Sequence, residues 1–417
     1  MSKQNMEFKD SGIPWIGQIP KHWEVIRNKY VFTHKKEIVG SKFKNFDILS
    51  LTKNGIKIIV ESDQKGKVPD SFETYQIVKK DDIVMCLFDL DVSAVFSGIS
   101  KYSGIISPAY KIFNPKENLN FKYAGYFFDF VFVNRKFKQY SKNIRFTLGT
   151  DEFMNLKIPL PPLNEQKKIA EFLDKKCEII DKRLSNLERK IKSLKEYKKS
   201  LISECVTKGL NPKNMEFKDS GIPWIGEIPK HWEVTKINHL YSQRNQKVSD
   251  KDFEPLSVTK KGILPQLENA AKTDNGDNRK LVKIGDFVIN SRSDRRGSCG
   301  ISSFDGSVSL INIVLKPREN MNSKYFDWLF HTTLFADEFY KYGNGIVDDL
   351  WSTRWDNMKN ILVPYPPLNE QKKIAEFLDK KCEKIDRLNE NYTKQITTLK
   401  EYKKSLIYEC VTGKKEI

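Results

Sequence analysis

Residues 161–210 and 366–414 constrain this chain more than any other feature. Each stretch opens with PPLNEQKKIAEFLDKKCE and closes with LKEYKKSLI, one variable residue, then ECVT. The offset is constant: Pro366 stands 205 positions after Pro161, and Cys410 stands 205 after Cys205. Between those ends, apolar residues fall in alternating steps of four and three. The first copy runs Leu173, Cys177, Ile180, Leu184, Leu187, Ile191, Leu194, Lys198, Leu201, Cys205. The second runs Leu378, Cys382, Ile385, Asn389, Tyr392, Ile396, Leu399, Lys403, Leu406, Cys410. A four-three alternation kept up this long predicts a coiled-coil seam, because ordinary amphipathic helices average only about three turns.

The ends of both helices are marked. Pro161 and Pro162 cannot continue a helix backwards, Asn164 suits an N-cap, and Glu165 puts negative charge in the first turn. Asn369 and Glu370 repeat the pattern, and Gly209 and Gly413 are placed as left-handed C-caps. Lys198 and Lys403 interrupt the two seams at matched positions. A polar residue there either sets register or snorkels outward along its aliphatic stem.

A second duplication precedes each helix. NMEFKDSGIPWIGQIPKHWEV at 5–25 returns at 214–234 with Gln18 replaced by Glu227. The chain is therefore one unit written twice: leader, variable region, long helix. Gly12, Pro14, Gly17 and Pro20 predict an irregular leader, and Trp15, Ile16, Ile19 and Trp23 need a surface to cover. That surface is either the leader's own domain or the long helix.

The variable regions share a skeleton of short β-branched and aromatic runs: ILSLTKNGI with PLSVTKKGI, VKKDDIVM with VKIGDFVI, ISPAYKIF with VSLINIVL. These read as strands and turns. FKYAGYFFDFVFVNRKF and KYFDWLFHTTLFADEFY read as one helix each. The expected fold class is α+β: two mixed α/β globules separated by a long antiparallel two-helix coiled coil, with a pseudo-two-fold internal repeat. The expected segments are 1–160 for the first leader and globule, 161–210 for the first long helix, 211–365 for the second leader and globule, and 366–417 for the second long helix.

Lys and Arg exceed Asp and Glu by 72 to 54, a net charge of +18. Such a surplus points to a polyanionic partner, duplex nucleic acid first. No apolar run reaches membrane-spanning length and no signal peptide opens the chain, so a cytoplasmic protein with no membrane partner is expected. The six cysteines lack any CxxC spacing, and four lie on the seams as small apolar fillers. Neither disulfides nor zinc is expected. Cys86 and Cys299 read as buried thiols.

Catalytic signatures are missing. There is no GxxxxGK[ST] loop, no methyltransferase Pro-Pro-aromatic motif and no metal-spaced histidine pair, and the ExK triplets Glu165-Lys167, Glu188-Lys190 and Glu196-Lys198 lie on a long helix. No catalytic residue, bound cofactor or metal is assigned. What the variable regions do carry is basic and amide-rich loops. The first holds Lys53, Asn54, Lys142, Asn143 and Arg145. The second holds Lys260, Lys261, Arg292, Arg295, Arg296 and Arg354. Arg and Lys suit guanine or phosphate, and Asn suits adenine.

With these residues in place, the chain resembles the specificity subunits of type I restriction-modification systems. The resemblance rests on GIPWIGQIPKHWEV at 12–25 with its copy at 221–234, and on PLPPLNEQKKIAEFLDKK at 159–176 with PYPPLNEQKKIAEFLDKK at 364–381. It covers nearly the whole chain. It implies a non-catalytic subunit whose two globules are target-recognition domains, each reading half of a split, asymmetric site in double-stranded DNA. It implies two adenine methyltransferase (modification) subunits as partners, and restriction/translocase subunits that make an ATP-dependent nuclease. S-adenosylmethionine, ATP and magnesium would belong to those partners. The helices would set the spacing between half-sites.

Two other classes compete. A self-contained nuclease or methyltransferase would turn over alone with its cofactor. A coiled-coil scaffold without sequence-specific DNA binding would lack the steep salt dependence of a chain that neutralises phosphates.

Overall fold

A computed structural model describes residues 7–52, 55–59, 71–90, 97–142, 146–266, 276–345 and 351–417. The chain divides into two compact units. One comprises 1–187 and 394–417, the other 188–393. Both long helices are present, Leu163–Lys208 with 46 residues and Leu368–Val411 with 44. At about 1.5 Å per residue each is roughly 65–70 Å long. Each helix is shared: its first half belongs to its own repeat's unit and its last turns belong to the other.

The helices begin two residues earlier than the Asn caps imply. The carbonyls of Pro162 and Pro367 already accept the first i→i+4 bonds, from Gln166 and Gln371 at 3.0 Å each. Asn164 and Asn369 therefore lie inside the first turn. The far ends stop at Gly209 and Gly413, whose φ values of +77° and +71° are left-handed caps.

In the first unit a four-stranded antiparallel sheet runs in the order Phe32–Lys35, Lys111–Pro115, Ile83–Met85, Ser97–Ile99. The hairpin Leu49–Thr52/Gly55–Ile58 and the pair Gln76–Val78/Gly104–Ile106 accompany it. Helix Phe121–Val133, capped by the Asn120 side chain, supplies Tyr123, Phe127, Phe128 and Val131 to the core. The same core takes Leu173, Ile180 and Leu184 from the first long helix and Leu406, Cys410 and Val411 from the end of the second. Tyr123 Oη donates to the carbonyls of Pro159 at 3.3 Å and Val411 at 3.2 Å.

The second unit repeats the plan. Its four-stranded sheet runs Tyr241–Gln243, Asn312–Pro317, Phe287–Asn290, Cys299–Ile301, beside the hairpin Leu256–Thr259/Gly262–Pro265. A three-stranded sheet orders Lys247–Val248, Arg279–Val282 and Gly306–Ser309. Its core takes Ile374 and Leu378 from the second long helix and Cys205 and Val206 from the end of the first. Tyr325 Oη donates to the Val206 carbonyl at 2.8 Å.

Two expectations need correction. The leader is not wholly irregular: Phe8–Asp10 pairs with Gln18–Pro20, and Phe217–Asp219 with Glu227–Pro229, as small antiparallel hairpins. KYFDWLFHTTLFADEFY forms two helices, Ser323–Phe330 and Thr333–Lys341. Thr332 is the reason. Its hydroxyl accepts from the Phe335 amide at 3.1 Å, which starts a new helix where a β-branched residue gains little by continuing the old one.

Seam residues are buried or half-buried throughout. Leu173, Cys177, Ile180, Leu184, Leu187, Cys205, Leu378, Cys382, Ile385, Leu406 and Cys410 are buried, and Ile191, Leu194, Leu201, Asn389, Tyr392, Ile396 and Leu399 half-buried. All six cysteines are free and buried.

Candidate nucleic-acid interface

The repeated motifs turn out to be joints. Glu165, in the first turn of the first long helix, uses one carboxylate oxygen for His22 Nε2 at 2.8 Å and the other for Trp23 Nε1 at 2.7 Å. Glu370 does the same with His231 at 2.7 Å and Trp232 at 3.0 Å. The leader is thus clasped to its own repeat's helix. It also covers its own domain, with Trp15 against Phe127 and Phe130, and Trp224 against Phe335. The other repeat's helix end closes the joint. A Cβ at Gly413 would run into the Pro20 ring and lie 3.0 Å from Trp23, and one at Gly209 would lie 3.4 Å from Trp232.

Gln166 and Gln371 are fully buried behind these carboxylates. Gln166 accepts from the Asn120 amide at 2.8 Å and donates to the carbonyls of Pro161 and Asn118 at 2.8 and 3.1 Å. Gln371 accepts from Asn322 and donates to Pro366, each at 2.8 Å. About two turns on, Asp174 receives Lys122 and Tyr126, while Asp379 receives Lys324 and Trp328. Sequence reasoning missed these roles. The available signal was the exact copying of NEQ, which apolar periodicity does not explain.

A second matched pair lies inside the globules. Asp82 and Asp286 are buried. Asp82 accepts from the Lys79 amide at 2.7 Å and from Asn114, with Lys35 at 3.5 Å. Asp286 accepts from the Lys283 amide and binds Arg244 through two bonds of 2.6 and 3.0 Å. The Asp shared by VKKDD and VKIGD is therefore a knot that ties strands beneath the loops.

Those loops carry the candidate DNA-contacting residues. In the first unit Lys53, Asn54, Asn143 and Arg145 lie outside the described residues. Lys142 is exposed, pairs its backbone with Thr147 and its ammonium with Glu152 at 2.7 Å. That side-chain bond and the Gly149 amide hold the Glu152 carboxyl below the usual carboxylate range. Leu148 donates to Leu87 at 2.7 Å, which sets the loop after Ile83–Met85 beside this one.

In the second unit the corresponding loops are laced together. Ser293 donates to Trp351 at 2.8 Å, Thr353 donates to Ser291 at 3.0 Å, and Ser352 bridges both Arg292 and Asn344. This gathers Arg292, Arg295, Arg296 and Arg354 on adjoining segments. Lys260 and Lys261 sit at the turn of the Leu256–Thr259/Gly262–Pro265 hairpin, where Thr259 Oγ1 accepts from the Lys261 amide at 3.0 Å. Gly262 abuts Gly300, in the strand that leaves the arginine loop. The arginines are not bare charges. Arg292 holds Asp294 through two bonds, Arg295 approaches the same carboxylate at 3.6 Å, and Arg296 pairs with Asp337 while lying over the Tyr340 ring. Among the described residues, Arg292, Arg295 and Arg296 thus share two carboxylates, Asp294 and Asp337, an excess of positive charge that favours an anionic or guanine-bearing ligand over a cation.

Residues 20–195 and 229–398 match the model of the type I restriction modification DNA specificity domain, once in each half. The chain belongs to that family. It is a type I restriction-modification specificity subunit carrying two such domains. A Methanocaldococcus jannaschii chain, provisionally named the MjaX type I restriction enzyme specificity subunit, is 26% identical over 440 residues, covering 96% of this chain and 95% of its own. The MjaVIII type I restriction enzyme specificity subunit of the same organism is 28% identical over 280 residues, 63% of each chain. Among solved structures, one from a study of complex assembly and conformational transition of the type I R-M system superposes with a TM-score of 0.69 at 15% identity, over 95% of this chain and 99% of that one. The HsdS subunit of Thermoanaerobacter tengcongensis gives 0.53 at 15% identity, over 95% and 98%. At such identities the structural likeness speaks for the fold. Among the described residues, no helix is long and apolar enough to cross a membrane.

Proposed function

We propose that this specificity subunit is the non-catalytic DNA-reading component of a cytoplasmic adenine methyltransferase and restriction complex. Each globule reads one half of a bipartite, asymmetric site in double-stranded DNA through the loops that follow Ile83–Met85 and Phe287–Asn290 and those packed beside them. The long helices pair antiparallel as a coiled coil and set the gap between the half-sites. The two copied leader–helix joints dock two methyltransferase subunits, since identical surfaces satisfy an identical partner. S-adenosylmethionine, ATP and magnesium belong to those subunits and to restriction/translocase subunits.

One observation carries the reading. In each unit, the start of one repeat's helix packs with the end of the other's, and the bond Tyr123–Val411 is matched by Tyr325–Val206, whose valines stand at the 205-residue offset. Two units built alike, each completed by the other repeat's helix end, support a pair of like reading domains.

The test is to insert one heptad into both helices, assemble the subunit with its methyltransferase, and map methylated adenines. A longer gap with both half-sites unchanged is expected. Altered half-sites at the original gap would refute the spacer role. Absence of any bipartite motif in the wild type would refute the reading itself.

A further inference from the structure

Among the candidate readers of the second unit, Arg292 differs from its neighbours in how it is held. Its backbone is pinned: the amide donates to Asn290 Oδ1 at 3.1 Å, Ser352 bridges it, and the Arg295 amide returns to its carbonyl at 3.1 Å. Its guanidinium is pinned as well. Nε donates to Asp294 Oδ1 at 2.8 Å and Nη2 to Asp294 Oδ2 at 3.1 Å. Arg295 has no such clamp and a side chain 67% exposed, against 35% for Arg292.

A guanidinium offers two forks. The side-on fork is Nε with the near hydrogen of Nη2. The end-on fork is Nη1 with the far hydrogen of Nη2. Asp294 occupies the side-on fork and no described residue bonds Nη1, so the end-on fork of this partly exposed side chain is left open in a fixed plane. Two parallel N–H donors match a phosphate or the O6/N7 edge of guanine in the major groove. The carboxylate chooses between them. A phosphate on the end-on fork would bring a second anion close to Asp294, whereas a guanine edge is neutral. Phosphate contact falls instead to the looser Arg295 and to Lys260 and Lys261.

Resting on the DNA-reading function above, we propose that Arg292 reads a guanine in the half-site of the second unit and that Asp294 is the positioning residue that locks its fork. The half-site then contains a G·C pair whose identity depends on these two side chains. Loss of a bidentate guanine contact removes roughly ten- to a hundredfold of discrimination at that pair.

The experiment uses the subunit assembled with its methyltransferase and maps adenine methylation over a randomised-site library for wild type, Arg292→Lys, Asp294→Asn and Asp294→Glu. Arg292→Lys is expected to relax a single G·C position in one half-site, leaving the other half-site and the gap unchanged. Asp294→Asn should relax the same position less, and Asp294→Glu should restore part of the preference. Thermal unfolding of each variant separates loss of fold from loss of reading. A wild-type half-site without a G·C pair, or a uniform fall in methylation with the base preference intact, would overturn the guanine assignment while leaving the bipartite function standing. A wild type with no bipartite motif would instead sink the functional reading on which it rests.

Discussion

The Lys403 ammonium lies 2.7 and 2.8 Å from the two carboxylate oxygens of Asp181. Lys198 meets Asp386 in the same way, at 2.7 Å from both oxygens. The two pairs are one contact made twice, since each residue stands 205 positions from its counterpart. Each lysine leaves a mostly apolar seam, keeps its stem half-buried, and delivers its charge to the other repeat's helix. Shifting the helices by one turn would replace both ion pairs with mismatches, so the lysines act on register more than on stability.

Single charge removals at these pairs, Asp181→Asn or Asp386→Asn, are therefore expected to cost only about 0.5–1 kcal/mol. Placing the charges in reverse, Asp181→Lys with Lys403→Asp, should recover most of what Asp181→Lys alone loses. Denaturant unfolding of the two single variants and the double variant measures the coupling, and a coupling near zero would remove the register role.

Asn389 takes the seam position that Leu184 holds in the first copy, and its Oδ1 is buried without a hydrogen-bond partner. Asn389→Leu should stabilise the chain by about 1 kcal/mol, by removing an unmatched polar group from an apolar seam. Leu184→Asn should cost about 2 kcal/mol or more for the converse reason. Thermal denaturation reads both, and a neutral Asn389→Leu would mean that the oxygen is hydrated.

Gln166→Leu would leave the buried Pro161 carbonyl and the part-buried Asn120 amide and Asn118 carbonyl without their partner. At about 1–3 kcal/mol for each orphaned group, a loss of at least about 2 kcal/mol is expected. Lys167→Ala, on the exposed face beside it, should change stability little. Equal losses for the two variants would show that helix propensity, not the buried amide, decides.

Burial raises the thiols of Cys205 and Cys410 to about 12 and that of Cys382 to about 11. An unfolded cysteine titrates near 8.5. Between those values the folded chain holds protons that the unfolded chain has released, so stability should fall as pH rises from about 9 towards 12. In the folded state at pH 8, alkylation by iodoacetamide should be slow at all three and rapid once denaturant is added. Fast alkylation of the native chain would contradict the packing.

The long helices could be read before folding because their signal is local. Leu173 through Leu201 announce a seam by spacing alone, and Gly209 and Gly413 announce its ends. KYFDWLFHTTLFADEFY splits into two helices because a single hydroxyl, Thr332, outweighs an apolar pattern that runs through it. The leader's partner stayed open because Trp23 and Glu165 are far apart in the chain, and no short-range rule links them. The reading loops were the least legible. The basic residues were visible, but their pairing with Asp294, Glu152 and Asp337 depends on loop paths that only the folded sheets impose.

Sequence alone determined the duplication, the periodicity and the charge, and with them the family, because each is a property of spacing or composition that needs no contacts. The tertiary structure decided what the copied residues touch. It shows that Glu165 and Gln166 fasten leader and globule to the helix, and that each globule is completed by the far end of the other repeat's helix. It also shows that Arg292 is held by Asp294. Those are meetings of residues brought together by packing, and hydrogen-bond geometry exists only once the packing does.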